Sequence, residues 1–558
     1  MLDYFFWFRY SLFPRKQLNH RKKDAQMLGS PHTALVKAFQ TPQKYRDLLR
    51  NLNLVQGDLK KFSGKTFICV SLTRFCPVGC KFCFFKSGAV FKQPTREDLL
   101  TPEGTKKFIH FANSVNLGYL LVSGGGEPMM EKKSVLQIIE KVDSDRIVLV
   151  TSAHWAKTKE SARRYLEEIQ EALEKRSTKT SLTIRVSVDS QHAVSLGLNP
   201  IINLINLFCE EFSKAPSLDL QMHSLDGDLA VDDLTQQLQD AYAIKRTPID
   251  DQRISDGKSA LKIVPKQEII SFNDLDIKVG YAKAFYSNLR VDLNDQEGIK
   301  KNIDVYQKDL FESEDGNSAI VTNKLGNPGL DFWVNYNGNV TTWGNQYLDN
   351  LFNIYVDSPE AVIEKTLQDP AALSFIEKGA SYRDRVVSKA NEIAVIRSKS
   401  VNIRDYAGAL MFDEARTRLY YTIRVLQDYI LENCISQDAI SKLPNEIKDL
   451  LLSDEEELVK AYNQTNYTIV QQTIEKDFDK DYVLDILEWI KLGHYKIKQD
   501  DIQRLVNFYN ENVGVDEKIK DISCISPSLK MQIVRMTEHL THIKPQALEE
   551  GLALDKVA

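Results

Sequence analysis

From Lys65 to about residue 265, short apolar runs alternate with longer amphipathic stretches, and this alternation restricts the fold more than any other feature of the 558-residue chain. Strand candidates fall at 67–72, 118–123, 146–151, 182–188, 218–224 and 260–264, with helical patterns at 102–114, 134–142, 160–173, 201–212 and 231–243. Thr101-Pro102 is a sound helix start, an N-cap followed by proline at the first helical position. Repeated βα units imply an α/β fold with a parallel sheet, because crossover helices carry the chain back to the same edge of each strand. Such sheets and barrels gather chemistry at the carboxyl ends of their strands.

The first of these ends carries Cys76-Pro77-Val78-Gly79-Cys80-Lys81-Phe82-Cys83, three cysteines spaced CxxxCxxC. Thiolates are soft ligands suited to iron–sulfur clusters, and a four-iron cluster held by three of them leaves one iron open to a substrate. The plain alternatives are structural zinc or buried thiols. Structural zinc wants a closed set of four, usually from paired CxxC or Cys/His units, and the sequence holds no second pair. The remaining cysteines, Cys69, Cys209, Cys434 and Cys524, are scattered and do not make a disulfide framework, which suits a reducing cytoplasm.

CxxxCxxC with an aromatic before the last cysteine resembles the signature of the radical S-adenosylmethionine (radical SAM) enzymes. The resemblance implies a partial (β/α)6 barrel over 65–265 and one [4Fe-4S] cluster held by Cys76, Cys80 and Cys83. It implies SAM chelated to the open iron and cleaved by a cluster electron to a 5'-deoxyadenosyl radical, with a flavodoxin- or ferredoxin-type reductase as electron donor. Cofactor contacts carry over residue by residue. Gly124, Gly125, Gly126 and Glu127, closing the second strand, match the GGE-type stretch that binds the SAM amino group. Ser187 and Asp189 match a serine-x-aspartate pattern on the fourth strand, and the backbone of Phe82 corresponds to the aromatic that holds adenine. At the third strand, Ser152-Ala153-His154-Trp155 stands where the family often has an asparagine-glycine turn.

Strand alternation adds detail. Ile184, Val186 and Val188 face the helices, so Arg185, Ser187 and Asp189 face the lumen, where Arg185 is a candidate for the SAM carboxylate and water is the alternative partner. On the fifth strand the same reading turns His223 inward, a candidate catalytic residue whose simpler role is a histidine satisfied by hydrogen bonds.

Outside the barrel, residues 1–64 read as a helical extension. Residues 266–395 read as a small α+β extension, with two β-like runs joined at Asn337-Gly338 and a helix after Ser358-Pro359-Glu360. This stretch resembles the SPASM or twitch extension of peptide-modifying radical SAM enzymes, but it has no cysteine for a second cluster. Residues 396–558 read as an all-helical domain in which Ala415, Leu419, Ile423, Leu426 and Ile430 form one stripe. The aromatic and basic N-terminus, Tyr4 to Lys23, is too short and interrupted to span a bilayer, so its rings either dock on the protein or lie at a membrane interface. A net charge of −5 and a charged share of 27% give no pull toward nucleic acid, and no Walker loop, zinc knuckle or nucleophile elbow occurs. The substrate is expected to be a peptide or protein, with a small metabolite or nucleotide as the alternative. A non-catalytic iron–sulfur protein for sensing or electron transfer is the rival from a different class.

Overall fold

The computed structural model describes residues 31–62, 64–80, 87, 98–212, 215, 217–225, 227–249, 266–282, 330–342, 352–390, 415–464, 470, 473–474, 478, 480–491, 498–520 and 522–525. One mixed sheet organises them. Its strands are β1 (Thr66–Ser71), β2 (Leu117–Ser123), β3 (Arg146–Thr151), β4 (Ser181–Ser187), β5 (Leu218–Leu225), β6 (Ile244–Pro248), β7 (Lys266–Phe272), β8 (Leu275–Ala282), β9 (Asp331–Val334), β10 (Asn339–Thr342) and β11 (Phe352–Asn353). They lie in the order β11-β10-β9-β1-β2-β3-β4-β5-β8-β7-β6. Every neighbouring pair from β9 to β8 is parallel, and antiparallel strands finish both ends.

The first five strands stand within a residue of their expected bounds, because each is an apolar run that must bury at least one face. On β4, Leu182, Ile184, Val186 and Val188 are buried while Arg185 and Ser187 are half-buried on the opposite face, as alternation requires. Helices α1 (Pro31–Gln40) and α2 (Pro42–Asn51) precede the sheet in the chain, and α3 (Pro102–Ser114), α4 (Lys132–Lys141), α5 (Lys159–Glu174), α6 (Ser190–Leu196), α7 (Asn199–Leu207) and α8 (Ala230–Leu238) follow its first five strands in turn. Thr101 caps α3 by accepting from the Gly104 amide at 3.1 Å, and Thr158 caps α5 in the same way.

The far end of the sheet differs from expectation. The run at 260–264 lies outside the described residues, and the sixth parallel position is taken by β8. The chain reaches it through the antiparallel strands β6 and β7, with Asn273-Asp274 as a two-residue turn and Asn273 at φ 53°. Nor does the sheet stop at residue 265. The Asn337-Gly338 hairpin is present, and its first strand, β9, pairs in parallel with the open edge of β1.

Helices α1 and α2 pack into a helical layer with α9 (Pro359–Gln368), α10 (Pro370–Ala390), α11 (Ala415–Leu431), α12 (Gln437–Ser441), α13 (Asn445–Leu452) and α14 (Glu455–Gln464). One hydrophobic core runs from Leu35 through the sheet to Tyr462, and a second joins Val470 and Ile525 to α15 (Lys480–Lys491) and α16 (Gln499–Glu511). The stripe expected on α11 is too narrow a description. Arg416, Thr417, Tyr420, Tyr421 and Thr422 are buried as well, because α2 and α10 pack on this helix from one side and α13 and α14 from another. Among the described residues no single helix is long and apolar enough to cross a membrane.

A buried ion pair ties the N-terminal helices to this layer: Arg46 Nη1 on α2 lies 3.4 Å from Asp369 Oδ2, both out of solvent. Asp369 also accepts from the Ala372 amide at 2.9 Å at the start of α10. Removing one partner leaves the other charge buried, so Arg46→Ala is expected to cost about 3–5 kcal/mol in urea unfolding. A loss below about 1 kcal/mol would show that the pair does not hold α2 in place.

Candidate functional site

The site is built where β1 and β2 end. Beyond β1 the chain turns through Thr73 to Phe75 into the cysteine motif, in which Cys76 is half-buried and Cys80 is buried. Phe82 and Cys83 lie outside the described residues. Beyond β2 the chain runs through Gly124, Gly125 and Gly126 to Glu127, whose amide donates to the Phe75 carbonyl at 2.6 Å. The glycines allow that approach. Gly125 has φ +66°, and a Cβ there would sit 2.6 Å from the Thr73 carbonyl oxygen. At Gly126 a Cβ would sit 2.0 Å from the Phe75 carbonyl oxygen. The glycine stretch and the cysteine loop are therefore one backbone unit, covered on one side by Tyr336 of the β9–β10 turn.

Glu127 extends that unit to β3. Its Oε1 accepts from Thr151 Oγ1 at 2.7 Å and from the Met129 amide at 3.0 Å, and its Oε2 accepts from the Ser152 amide at 2.6 Å. A carboxylate has about four acceptor positions, so one on Oε2 remains for a ligand. The turn after β3 keeps a glycine-like shape without glycine: Ala153 has φ 59° and ψ 20°, held by its amide donating to Thr151 Oγ1 at 3.0 Å. A left-handed conformation costs an L-residue roughly 1–2 kcal/mol. His154 Nδ1 lies 4.0 Å from Glu127 Oε1. Burial pulls the His154 pKa below its ordinary value, and Glu127 opposes that.

Asp189 has two local duties. Its Oδ1 caps α6 by accepting from the Gln191 and His192 amides at 3.0 and 3.1 Å, and its Oδ2 accepts from His192 Nδ1 at 2.7 Å. His192 in turn lies against Cys80, with Sγ 3.7 Å from Nδ1 and 3.8 Å from Nε2. Near-equal distances to the two nitrogens put the sulfur off the line of either N–H bond, so the contact is ring against sulfur. His192 was absent from the candidates read in the sequence. Its signal was there, a capping aspartate followed three residues later by histidine on the same helical face.

The lumen-facing groups fall into two layers. In the lower one, Arg146 donates to Thr183 Oγ1 at 3.4 Å and Asp219 Oδ2 accepts at 3.0 Å from Gln221 in the layer above, so the polar groups answer one another. The side chains of Arg185, Ser187 and His223, nearer the carboxyl ends, make no hydrogen bond among the described residues. By register Ser187 and His223 are level on β4 and β5, and Ser152 follows Thr151, the last residue of β3, which pairs with Val186. Ser152 Oγ and His223 Nε2 are both shut from solvent without a partner. Burial, and then Arg185, lower the His223 pKa to about 4, so the imidazole is neutral near pH 7.

Residues 70–184 match the family model of the radical SAM superfamily. The chain carries a radical SAM domain. Comparison with curated proteins returns no match for this chain. Enzymes of the superfamily generally use a [4Fe-4S] cluster and SAM, and the donors in the radical SAM domain suit both. Cys76 and Cys80 offer soft thiols in a loop fixed at a strand end, and Glu127, locked to that loop, keeps one acceptor position beside them. The orphaned Ser152 Oγ and His223 Nε2 call for a polar ligand over the same strand ends.

The backbone lock makes a direct prediction. Gly126→Ala must push the Phe75 carbonyl away, costing about 1–3 kcal/mol in urea unfolding and lowering iron uptake on reconstitution. Unchanged stability and iron content would contradict the lock. His223 adds a pH dependence. Its folded pKa is depressed from 6.5 to about 4, so the unfolded chain binds the extra proton between those values. Stability is expected to fall by roughly 2–3 kcal/mol as pH drops from 7 to 4 on this account, and His223→Gln should flatten that part of the curve.

Proposed function

We propose that the protein is a cytoplasmic radical SAM enzyme in which Cys76, Cys80 and Cys83 hold one [4Fe-4S] cluster and the fourth iron, which has no cysteine, is left to SAM at the carboxyl ends of β1 to β4. The observation that carries this reading is the lock between the Phe75 carbonyl and the Glu127 amide, which keeps the thiol loop and the glycine cradle in one rigid unit. When bound, the cluster supplies the electron that splits SAM into methionine and a 5'-deoxyadenosyl radical able to take a substrate hydrogen atom.

The chain's own residues bind, orient and shield. Gly125 and Gly126 let the SAM backbone atoms approach bare main chain, and the remaining acceptor position on Glu127 Oε2 faces the ammonium group. Ser187 and the orphaned Ser152 hydroxyl offer hydrogen bonds to the ribose or carboxylate. Asp189 caps α6 and holds His192 against Cys80, and the position left on its Oδ2 is available to the SAM ribose, as the family likeness implies. Phe82 retains the adenine role that the family likeness gives it. The β9–β10 hairpin forms one wall: Trp333 Nε1 donates to Ser71 Oγ at 2.9 Å, and Tyr336 packs on Gly125. A peptide substrate reaching across that wall fits the likeness to peptide-modifying relatives. A reductase of the flavodoxin or ferredoxin type supplies electrons, since radical SAM enzymes need a reductant.

The test is anaerobic reconstitution with iron, sulfide and dithionite, followed by chromatography of the products. SAM should yield 5'-deoxyadenosine, Cys76→Ala should abolish it, and Cys434→Ala, at an exposed thiol far along the chain, should leave it unchanged. A reconstituted wild-type protein that binds iron but leaves SAM intact would reject the enzyme in favour of the sensing or electron-transfer reading.

A further inference from the structure

The register of the sheet gives each lumen group a depth. Arg185 is level with Val150 on β3, Gln221 on β5 and Lys278 on β8. Glu127 is bonded higher, to the amide of Ser152, the residue after Thr151, which pairs with Val186; Ser187, one residue farther along β4, pairs with His223. Two residues of strand separate the layers, about 6.6 Å. Arg185 thus points into the lumen from beneath the layer in which Glu127 holds its ligand.

Among the described residues, the carboxylates near Arg185 are already engaged. The carboxylates nearest on the same two strands are Asp219 and Asp189. Asp219 accepts from Gln221 and Thr183, at 3.0 and 3.5 Å. Asp189 is taken up by two α6 amides and His192. Above Arg185, His223 holds Nε2 sealed and unpartnered, and its neighbour on β8 is Gly280, which has no side chain to fill the gap. A half-buried guanidinium beside an imidazole with an unpaired nitrogen is matched by an anion that presents two acceptor oxygens.

The geometry points to Arg185 and His223 as the anchor for an oxyanion, a carboxylate or phosphate, carried by the substrate and seated below SAM. This rests on the radical SAM reading above for what lies over it, and it names the substrate class that reading leaves open: a molecule or side chain that is anionic at the end lodged in the barrel. The guanidinium supplies a two-pronged clamp, and the neutral imidazole adds a single N–H without a further charge. Together they would fix the anionic end so that a C–H bond farther up the substrate meets the SAM layer.

The experiment uses the reconstituted holoenzyme under nitrogen and two readouts. The first is the thermal midpoint with succinate, inorganic phosphate or the neutral succinamide, at constant ionic strength set with chloride. Succinate or phosphate should raise the midpoint saturably and succinamide should not. The apparent affinity should fall at least tenfold in Arg185→Gln, less in Arg185→Lys, and several-fold in His223→Phe. The second readout is the change that SAM produces in the electron paramagnetic resonance spectrum of the reduced cluster, which Arg185→Gln should leave in place. No saturable response to either anion in wild type, or equal responses in wild type and Arg185→Gln, would overturn the proposal. Loss of the SAM-induced spectral change in Arg185→Gln would also overturn it, assigning the guanidinium to the SAM carboxylate. The thermal readout does not involve SAM cleavage, so a failure here is distinct from failure to form 5'-deoxyadenosine.

Discussion

The hydrogen bond between the Glu127 amide and the Phe75 carbonyl is the joint on which the site depends. Through it the end of β1 is fixed to the end of β2, and through the Glu127 carboxylate both are fixed to Thr151 and Ser152 at the end of β3. A second tie comes from β4, where Asp189 caps α6 and holds His192 against the Cys80 sulfur. Four consecutive strand ends are thereby locked to the loop that carries the thiols. That rigidity is what a cluster-and-SAM site requires, since the open iron and the reacting bond must keep their spacing within a fraction of an ångström.

The lumen has a gradient of satisfaction. Deep groups such as Arg146, Thr183 and Asp219 are answered by one another and by Gln221, whereas Arg185, Ser187 and His223 are left with unused hydrogen-bonding capacity toward the carboxyl ends. Leaving buried polar atoms unpaired costs roughly 1–3 kcal/mol each, so the protein gives up stability where a ligand can restore it. The helical layer and the β9–β11 strands bear on this from outside. They bury the open edge of β1 and stiffen the wall on which the cradle rests.

Much of this was legible in the sequence, and the parts that were not have physical reasons. Strands β1 to β5 announced themselves because an apolar face repeated every second residue can only be buried in a sheet. The cysteine motif and the glycine stretch were legible from spacing and from their position after those strands. The strands β6 to β8 were missed because β6 is largely exposed and because Asn273-Asp274, which reads as a turn only once its flanking strands are seen to pair, was passed over. The pairing of β9 with β1 joins residues some 260 positions apart, which no local pattern reports. Ala153 in a left-handed turn contradicts its own propensity, and only the Thr151 hydroxyl explains it. The double use of Asp189 was hidden because a capping aspartate and a ligand-binding aspartate look alike in one dimension.

The central claim is that one iron of the cluster lacks a protein ligand and is completed by SAM. Electron–nuclear double resonance on the reduced holoenzyme with SAM labelled with nitrogen-15 at its amino group tests this most directly. The account expects a coupling from the labelled nitrogen that disappears when unlabelled SAM is exchanged in. A spectrum with no coupling from SAM, carrying instead a histidine nitrogen coupling that His192→Ala removes, would mean that the protein closes its own fourth position, and the account would be wrong.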